Sequence, residues 1–202
     1  MSLISSRLSR GDEIIRIFSC LPTLSTERLI LRCAKRRDAA SIFQYARNPN
    51  VARYVLWEAH ESIRDSRAYV RYLRSQYRRG EPASYVLVRK EDGRVFGTIG
   101  FMSFDRENLC AEVGYSLAED CWGQGFATEA LRAVLRLSFE TMHLHRVEAQ
   151  HDCCNPSSGR VMEKCGMHRE GVLRKKIFNK GDYRDVVLWS VLEKEWRDAH
   201  NA

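Results

Sequence analysis

The chain has 202 residues, of which 44% are hydrophobic and 29% are charged. That length suits one domain with a sizeable core, and that balance is typical of a soluble globular protein. No apolar run approaches the length of a membrane span, and the apolar stretch 14–18 is broken by Arg16, which makes a poor signal peptide. We therefore expect a cytoplasmic protein with no membrane contact.

Lys and Arg number 33 against 26 Asp and Glu, a formal net charge of +7. This excess suits an anionic ligand, an acidic or RNA-rich neighbourhood, or plain solubility, and charge alone does not separate the three. The sequence has no helix-turn-helix or RNP motif, so we expect no dedicated nucleic-acid binding.

The seven cysteines are scattered without a Cys-x-x-Cys pair, which predicts reduced, mostly buried thiols. Three histidines and two cysteines fall close together between 143 and 154. Their spacing matches no common zinc site, and alternate strand residues point apart. We therefore predict no metal.

Residues 1–23 show no usable pattern and are expected to form an N-terminal arm. The folded domain is expected over 24–196, with a short tail over 197–202. Leu29 and Leu31 lie on one face of a first strand over 26–32. Asp38 is expected to cap a helix that runs to about Arg47.

A second helix is predicted from the capping box formed by Ser62 and Asp65. Its apolar face carries Tyr69, Val70, Leu73 and Tyr77, and its opposite face carries Arg64, Arg67, Arg71, Arg74 and Arg78. We expect the arginine face to be solvated. The alternative is a wall that attracts an acidic macromolecule.

Further strands are expected over 83–90, 95–104, 110–117, 146–151, 167–178 and 183–192. Helices are expected over 125–141 and 158–165. Asp92-Gly93 gives the turn signal of a hairpin between the first two of these strands. The order predicts an α+β fold, with one mixed, mostly antiparallel sheet of six or seven strands flanked by helices.

The stretch from Glu112 to Leu131 changes from strand spacing to helical spacing through Gly123 and Gly125. A glycine-rich loop that opens a helix points free N–H groups outward, and the helix dipole adds positive potential there. The stretch therefore predicts an anion site, typically for phosphate, and the alternative is a strand-to-helix turn with only a structural role.

This stretch resembles motif A of the GNAT acetyltransferases, because Gly125-Phe-Ala127 fits the end of that motif. Trp122 stands where the family usually has Gln or Arg, and this departure is typical of the RimJ/RimL-like N-terminal acetyltransferases. The opening Thr26-Glu-Arg-Leu-Ile-Leu-Arg32 is similar to the first strand of that branch. The predicted element order agrees with the GNAT order over 26–195.

The resemblance implies acetyl-CoA as cosubstrate, with its pyrophosphate held by the loop and its pantetheine arm lying in a gap between the strands near 110–117 and 146–152. The implied contacts are Leu117, Trp122, Gly123, Gln124, Gly125, Phe126, Ala127, Thr128 and Asn155. A strand amide near Val113 or Tyr115 is implied to polarise the thioester carbonyl.

The resemblance also implies Glu112 as general base and Ser158 as the group near the CoA sulfur. A structural reading makes Glu112 the partner of a nearby Arg or Lys, and makes Ser158 a helix cap, although Ser157 is the better cap. Trp57 and Tyr183 are expected to line the acceptor site, with core or sheet packing as the alternative for each.

The function expected from this resemblance is transfer of acetyl from acetyl-CoA to a primary amine, most of all the N-terminus of a protein. The resemblance implies direct transfer in a ternary complex, without Cys153 or Cys154 as a covalent nucleophile. Small amines, such as polyamines, aminoglycosides or metabolites, are the nearest alternative. A GNAT fold that binds CoA or RNA without turnover is the second. A monomer or homodimer is expected.

Overall fold

The computed structural model describes residues 10–200. Within them, the helices are α1 (Arg10–Ser19), α2 (Ala39–Ala46), α3 (Pro49–Ala52), α4 (Ile63–Arg79), α5 (Phe126–Arg136), α6 (Pro156–Lys164) and α7 (Glu193–His200). The strands are β1 (Leu24–Ser25), β2 (Leu29–Arg32), β3 (Ser84–Arg89), β4 (Val95–Asp105), β5 (Cys110–Leu117), β6 (Arg146–Asp152), β7 (His168–Asn179) and β8 (Asp182–Leu192). None of these helices is long and apolar enough to cross a membrane.

The described strands form one eight-stranded sheet in the order β1-β2-β3-β4-β5-β6-β8-β7. All neighbours are antiparallel except β5 and β6, which are parallel. The predicted mixed α+β fold is confirmed. The eighth strand is Leu24–Ser25, whose two residues are too few to show a strand period.

Helix α4 follows from its local signals. Ser62 and Asp65 form the predicted capping box, and Gly80 ends the helix in the left-handed conformation. Val70, Leu73 and Tyr77 are buried, as the 3.6-residue period predicts.

The N-terminal segment departs from the expected arm. Helix α1 covers Arg10–Ser19, and its Ile14 and Phe18 are buried in the main core. The Phe18 ring packs edge-on against Phe101 at 5.2 Å and Phe104 at 5.6 Å between centroids. The part of the arm over residues 1–9 lies outside the described residues.

The C-terminal boundary also differs. The predicted tail begins at residue 197, but α7 continues to His200, with Trp196 buried and stacked on Phe139. The last two residues lie outside the described range.

Two groups of helices flank the sheet, and the hydrophobic core lies between these helices and the sheet. Helices α1, α2 and α4 pack together, with α2 against β4, while α5 and α6 pack together against β2, β4, β6 and β8.

The cysteines depart from the expected burial. All seven are free thiols, but only Cys121 and Cys165 are buried.

Candidate active site

The sheet opens between its two parallel strands. β5 and β6 are in register at only three pairs, where Cys110, Ala111 and Glu112 face Arg146, Val147 and Glu148. Beyond Glu112, β5 continues alongside β4 and β6 continues alongside β8. The two strands therefore diverge, and a gap opens inside the sheet, as the sequence predicts.

The backbone of β5 faces this gap with polar groups. The Ala118 N–H donates to the Phe96 carbonyl at 2.7 Å, which identifies that pair as hydrogen-bonded across β4 and β5. Antiparallel pairs alternate, so the N–H and C=O groups of Tyr115 and Leu117 point away from β4 into the gap. The same alternation turns the Val113 N–H toward β6, where the last parallel pair, Glu112 with Glu148, places it against the Glu148 carbonyl. An extended chain can hydrogen-bond to such a strand edge.

One of these groups already has a partner. The Trp122 indole Nε1 donates to the Leu117 carbonyl at 2.9 Å, while nearly half of the Trp122 surface stays exposed. A ligand contact to Leu117 would therefore use its N–H, or would require the indole to move.

The glycine loop meets the start of α5. Gly123 and Gly125 have φ values of 73° and 82°, in the left-handed region that glycine adopts readily. Gly125 is the N-cap of α5, and no side chain caps its first turn. The N–H groups of Phe126, Ala127 and Thr128 thus form a positive end suited to a phosphate group.

The connection between β1 and β2 holds this loop in place, and sequence reasoning missed these contacts. The Arg28 guanidinium donates to the Gln124 carbonyl at 3.0 Å and to Glu129 at 2.7 Å, and it lies 4.4 Å from the Phe126 ring centroid. Glu129 also accepts from the Thr26 hydroxyl at 2.6 Å. Thr26 and Arg28 belong to the opening motif, which was the available signal.

Glu112 lies beside the gap and is paired with an amide. Gln150 Nε2 on β6 donates to Glu112 Oε1 at 2.8 Å. The structural alternative expected Glu112 to pair with an Arg or Lys, and its hydrogen-bond partner is this amide instead. Burial raises the pKa of Glu112, and the hydrogen bond from Gln150 and the charge of Lys176 only partly offset it. The neighbouring charge of Glu148 raises this pKa further.

Asn155 and Ser158 lie on the other side of the split strands. Asn155 Nδ2 donates to Ser158 Oγ at 3.1 Å, and the Tyr115 hydroxyl donates to the Ser158 carbonyl at 2.9 Å. Side chains alternate along β5, so Glu112 and Tyr115 point to opposite faces. Glu112 and Ser158 therefore lie beside the split strands on opposite faces of the sheet.

The capping prediction for this helix is wrong. Helix α6 begins at Pro156 with Asn155 at its N-cap, so neither Ser157 nor Ser158 occupies the capping position. Ser157 Oγ accepts a bond from Arg160 at 2.8 Å instead. The difference arises because Pro156 suits the first helical position.

A buried ion pair shapes the turn before Asn155. Asp152 accepts from Arg184 Nε at 2.9 Å and from the Cys154 N–H at 2.8 Å. Burial opposes ionisation of Asp152, but these donors hold its pKa below the ordinary value. The Asn155 N–H then bonds to the Asp152 carbonyl at 2.7 Å, so the pair fixes the path of the chain to Asn155 and Ser158.

The expected acceptor residues lie on two segments that meet. Asn179 Nδ2, at the tip of the β7–β8 hairpin, donates to the Val55 carbonyl at 3.2 Å, and Lys180 Nζ donates to the Ala52 carbonyl. Tyr183 is exposed on this hairpin, against Phe178 at 5.1 Å. Trp57 follows Val55 and is partly buried against the core.

Among residues 10–200, no group of three or more His, Cys, Asp or Glu side chains is arranged to hold a metal ion. His151, from the cluster noted in the sequence, bonds through Nδ1 to the Asp152 carbonyl at 2.9 Å. His143 bonds to the Phe139 carbonyl at 3.2 Å.

Comparison with known proteins fits this geometry. A family model described as acetyltransferase (GNAT) domain matches residues 28–168. A Bacillus licheniformis relative named uncharacterized N-acetyltransferase p20 is 32% identical, with 87% of this chain and 99% of the relative covered. The ribosomal protein uS5-alanine N-acetyltransferase of Escherichia coli is 27% identical, with 86% and 92% covered.

A solved structure of a GNAT-family acetyltransferase from Bacillus anthracis has a TM-score of 0.77 at 27% identity. The match covers 86% of this chain and 99% of that chain. The relatives confirm the resemblance to the RimJ/RimL-like branch, which includes ribosomal-protein acetyltransferases. The chain belongs to the GNAT acetyltransferase family and is an acetyl-CoA-dependent N-acetyltransferase.

Proposed function

We propose that this enzyme acetylates the α-amine of a protein N-terminus, with Glu112 as general base and Ser158 as the donor to the leaving sulfur. One observation carries the proposal. The gap between β5 and β6 has a carboxylate on one side, at Glu112, and a hydroxyl on the other, at Ser158.

The residues around the gap fit acetyl-CoA, which supplies an activated acetyl thioester when bound. The uncapped first turn of α5 would bind its pyrophosphate through the N–H groups that follow Gly125. The N–H of Leu117 would hold the extended arm, and the N–H of Tyr115 would bond the carbonyl oxygen as charge develops there.

Glu112 has the properties of a base that works on an ammonium group. Its raised pKa makes its carboxylate a better proton acceptor than an ordinary glutamate, and Gln150 fixes one of its oxygens. The other oxygen takes the proton from the attacking amine, directly or through one water.

Ser158 has the properties of a donor to sulfur. Because Asn155 Nδ2 donates to Ser158 Oγ, the oxygen acts as acceptor there and its own hydrogen stays available. That hydrogen bonds the developing thiolate and stabilises it as the carbon–sulfur bond breaks. Asn155 positions the hydroxyl and has its amide oxygen left to accept from the pantetheine arm.

The acceptor side favours a chain end. Asn179 and Lys180 at the hairpin tip bond to the carbonyls of Val55 and Ala52, at the end of α3 and just after it. The acceptor amine therefore has to reach the site beside this closed contact. A flexible N-terminus can enter where a folded surface cannot. The uS5-alanine N-acetyltransferase among the relatives supports this acceptor class.

The test is thiol release from acetyl-CoA with peptides that begin with Ala or Ser, beside polyamines and aminoglycosides. We expect turnover on the peptides. Glu112→Gln should lower kcat by about 100-fold or more, the usual contribution of a general base. Ser158→Ala should lower it by roughly 10- to 100-fold, the value of one bond to a charged group.

Glu148→Gln is the matched control, because Glu148 faces Glu112 in register but is paired with Arg146 at 2.6 Å. It should keep the rate within a few-fold. Turnover on small amines alone would overturn the acceptor assignment. Full rates in both Glu112→Gln and Ser158→Ala would overturn the mechanism.

A further inference from the structure

Helix α4 carries five exposed arginines in one row, here called the arginine row: Arg64, Arg67, Arg71, Arg74 and Arg78. Their spacing alternates between three and four residues, so at 100° per residue they lie within about 80° of the helix circumference. The row extends for about 21 Å, since the helix rises 1.5 Å per residue.

The charge of this row is not neutralised inside the described part of the chain. None of its five guanidinium groups has an ion pair or hydrogen bond with another residue in 10–200. The only acid in α4 is Asp65, whose carboxylate accepts from the Ser62 N–H at 2.8 Å and the Glu61 N–H at 3.0 Å in the capping box. A line of unpaired like charges is unfavourable for the free protein and becomes favourable against a polyanion.

The row begins close in the chain to the segment that meets the β7–β8 hairpin. Helix α4 starts at Ile63, a few residues after the Ala52 and Val55 carbonyls that bond to this hairpin. Arg64 lies in the first turn of α4, at the end that follows this segment, and Arg78 lies in the last turn. An acceptor whose chain end enters the site would have its neighbouring surface beside this row.

We propose that the arginine row docks the phosphate backbone of RNA that accompanies the acceptor protein. The inference rests on the proposed function, because an acceptor such as a ribosomal protein brings RNA to the site. Protein–protein interfaces have an apolar centre and few charges there, whereas nucleic-acid interfaces are polar and strongly basic. The row is wholly cationic, with no apolar residue among its five positions, so a phosphate backbone suits it better than a protein surface does.

The experiment measures fluorescence anisotropy of a labelled RNA hairpin of mixed sequence, with the full-length protein, over a range of salt. The row variant is R67Q/R71Q/R74Q, and the matched control is R136Q/R169Q/R174Q, which removes the same charge from exposed arginines on α5 and β7. We expect the row variant to weaken RNA binding by more than about tenfold at 0.1 M salt. Its slope of log K against log salt should fall by about 2, because three arginines no longer bind phosphate. The control should change affinity by less than about threefold.

Two further ligands identify the partner class. A polyglutamate chain that binds as tightly as the RNA hairpin would overturn the assignment to a phosphate backbone, whereas a DNA hairpin of the same sequence should bind with similar affinity because it presents the same phosphates. Equal losses of affinity in the row and control variants would show a general charge effect and overturn the site. Acetylation of a short Ala-starting peptide should be unchanged in R67Q/R71Q/R74Q, so failure of docking and failure of the proposed function give different results.

Discussion

Gln150 controls how strongly Glu112 holds a proton. Burial raises the pKa of Glu112 and the hydrogen bond from Gln150 lowers it, so removing the amide should move the pKa further up. A base must be ionised to work, and kcat/KM therefore falls as pH drops through that pKa. The acidic limb in the native enzyme should lie above the ordinary range of a glutamate.

We predict that Gln150→Met shifts this acidic limb to higher pH, while the rate on the high-pH plateau changes less than tenfold. Glu112→Gln should remove the limb and most of the rate. The measurement is kcat/KM against pH for the three proteins, with urea unfolding to check that each is folded. An acidic limb that stays in place in Gln150→Met would contradict this account of Glu112.

At the scale of single residues, candidates inside sequence motifs could be picked out from the sequence, but the residues that hold them in place could not. Glu112, Gly125 and Ser158 stand in recognisable local patterns. Gln150, Arg28 and Arg184 act on groups that are far away along the chain, as when Arg28 bonds to Glu129 at 2.7 Å. Only the fold brings such pairs together, so no window of sequence contains them.

Substitutions of Gly123, in the loop before α5, and of Gly93 can distinguish the cost of backbone strain from the loss of a ligand contact. Gly123 and Gly93 have φ values of 73° and 71°, and a Cβ added to either meets nothing within 4 Å. Alanine at either position should therefore cost a similar free energy of unfolding, about 1 to 2 kcal/mol. Gly93 lies in the turn between β3 and β4, away from the gap.

We predict that Gly123→Ala weakens acetyl-CoA binding by about tenfold, or about 1.4 kcal/mol, because the new Cβ enters the phosphate loop. Gly93→Ala should bind acetyl-CoA as the native protein does. Calorimetric titration gives the affinities, and denaturant unfolding gives the stabilities. Equal acetyl-CoA affinity in the two variants would place the phosphates elsewhere.

Element prediction succeeded where the local signal was complete. Ser62 and Asp65 mark the start of α4, and the strand period marks Cys110–Leu117. Helix α1 was missed because its ten residues are short for an isolated helix and are mostly polar. Its stability depends on packing against β4, which is distant in sequence.

At the scale of the whole molecule, α1 extends the core beyond the family match at residues 28–168. We predict that Phe18→Ala lowers the free energy of unfolding by about 3 to 5 kcal/mol, because the buried ring packing is removed and a cavity is left behind. Arg16→Ala on the exposed side of the same helix should change it by less than about 0.5 kcal/mol. Urea unfolding measures both, and a decrease below about 1 kcal/mol in Phe18→Ala would show that α1 is not part of the core.

The divergence of β5 and β6 affects how the two parts of the sheet can move relative to each other. Between β5 and β6 the sheet is held together only by the three residue pairs from Cys110 to Glu112. The part of the sheet up to β5 and the part from β6 onward are therefore joined by a short hinge. A molecule that bonds to the edges of both strands acts as the missing strand and restrains rotation about that hinge. Its affinity then depends on the width between two backbones, which no single side chain sets. A rigid compound of strand-like width would therefore bind here and stiffen the molecule, even without an acetyl group to transfer.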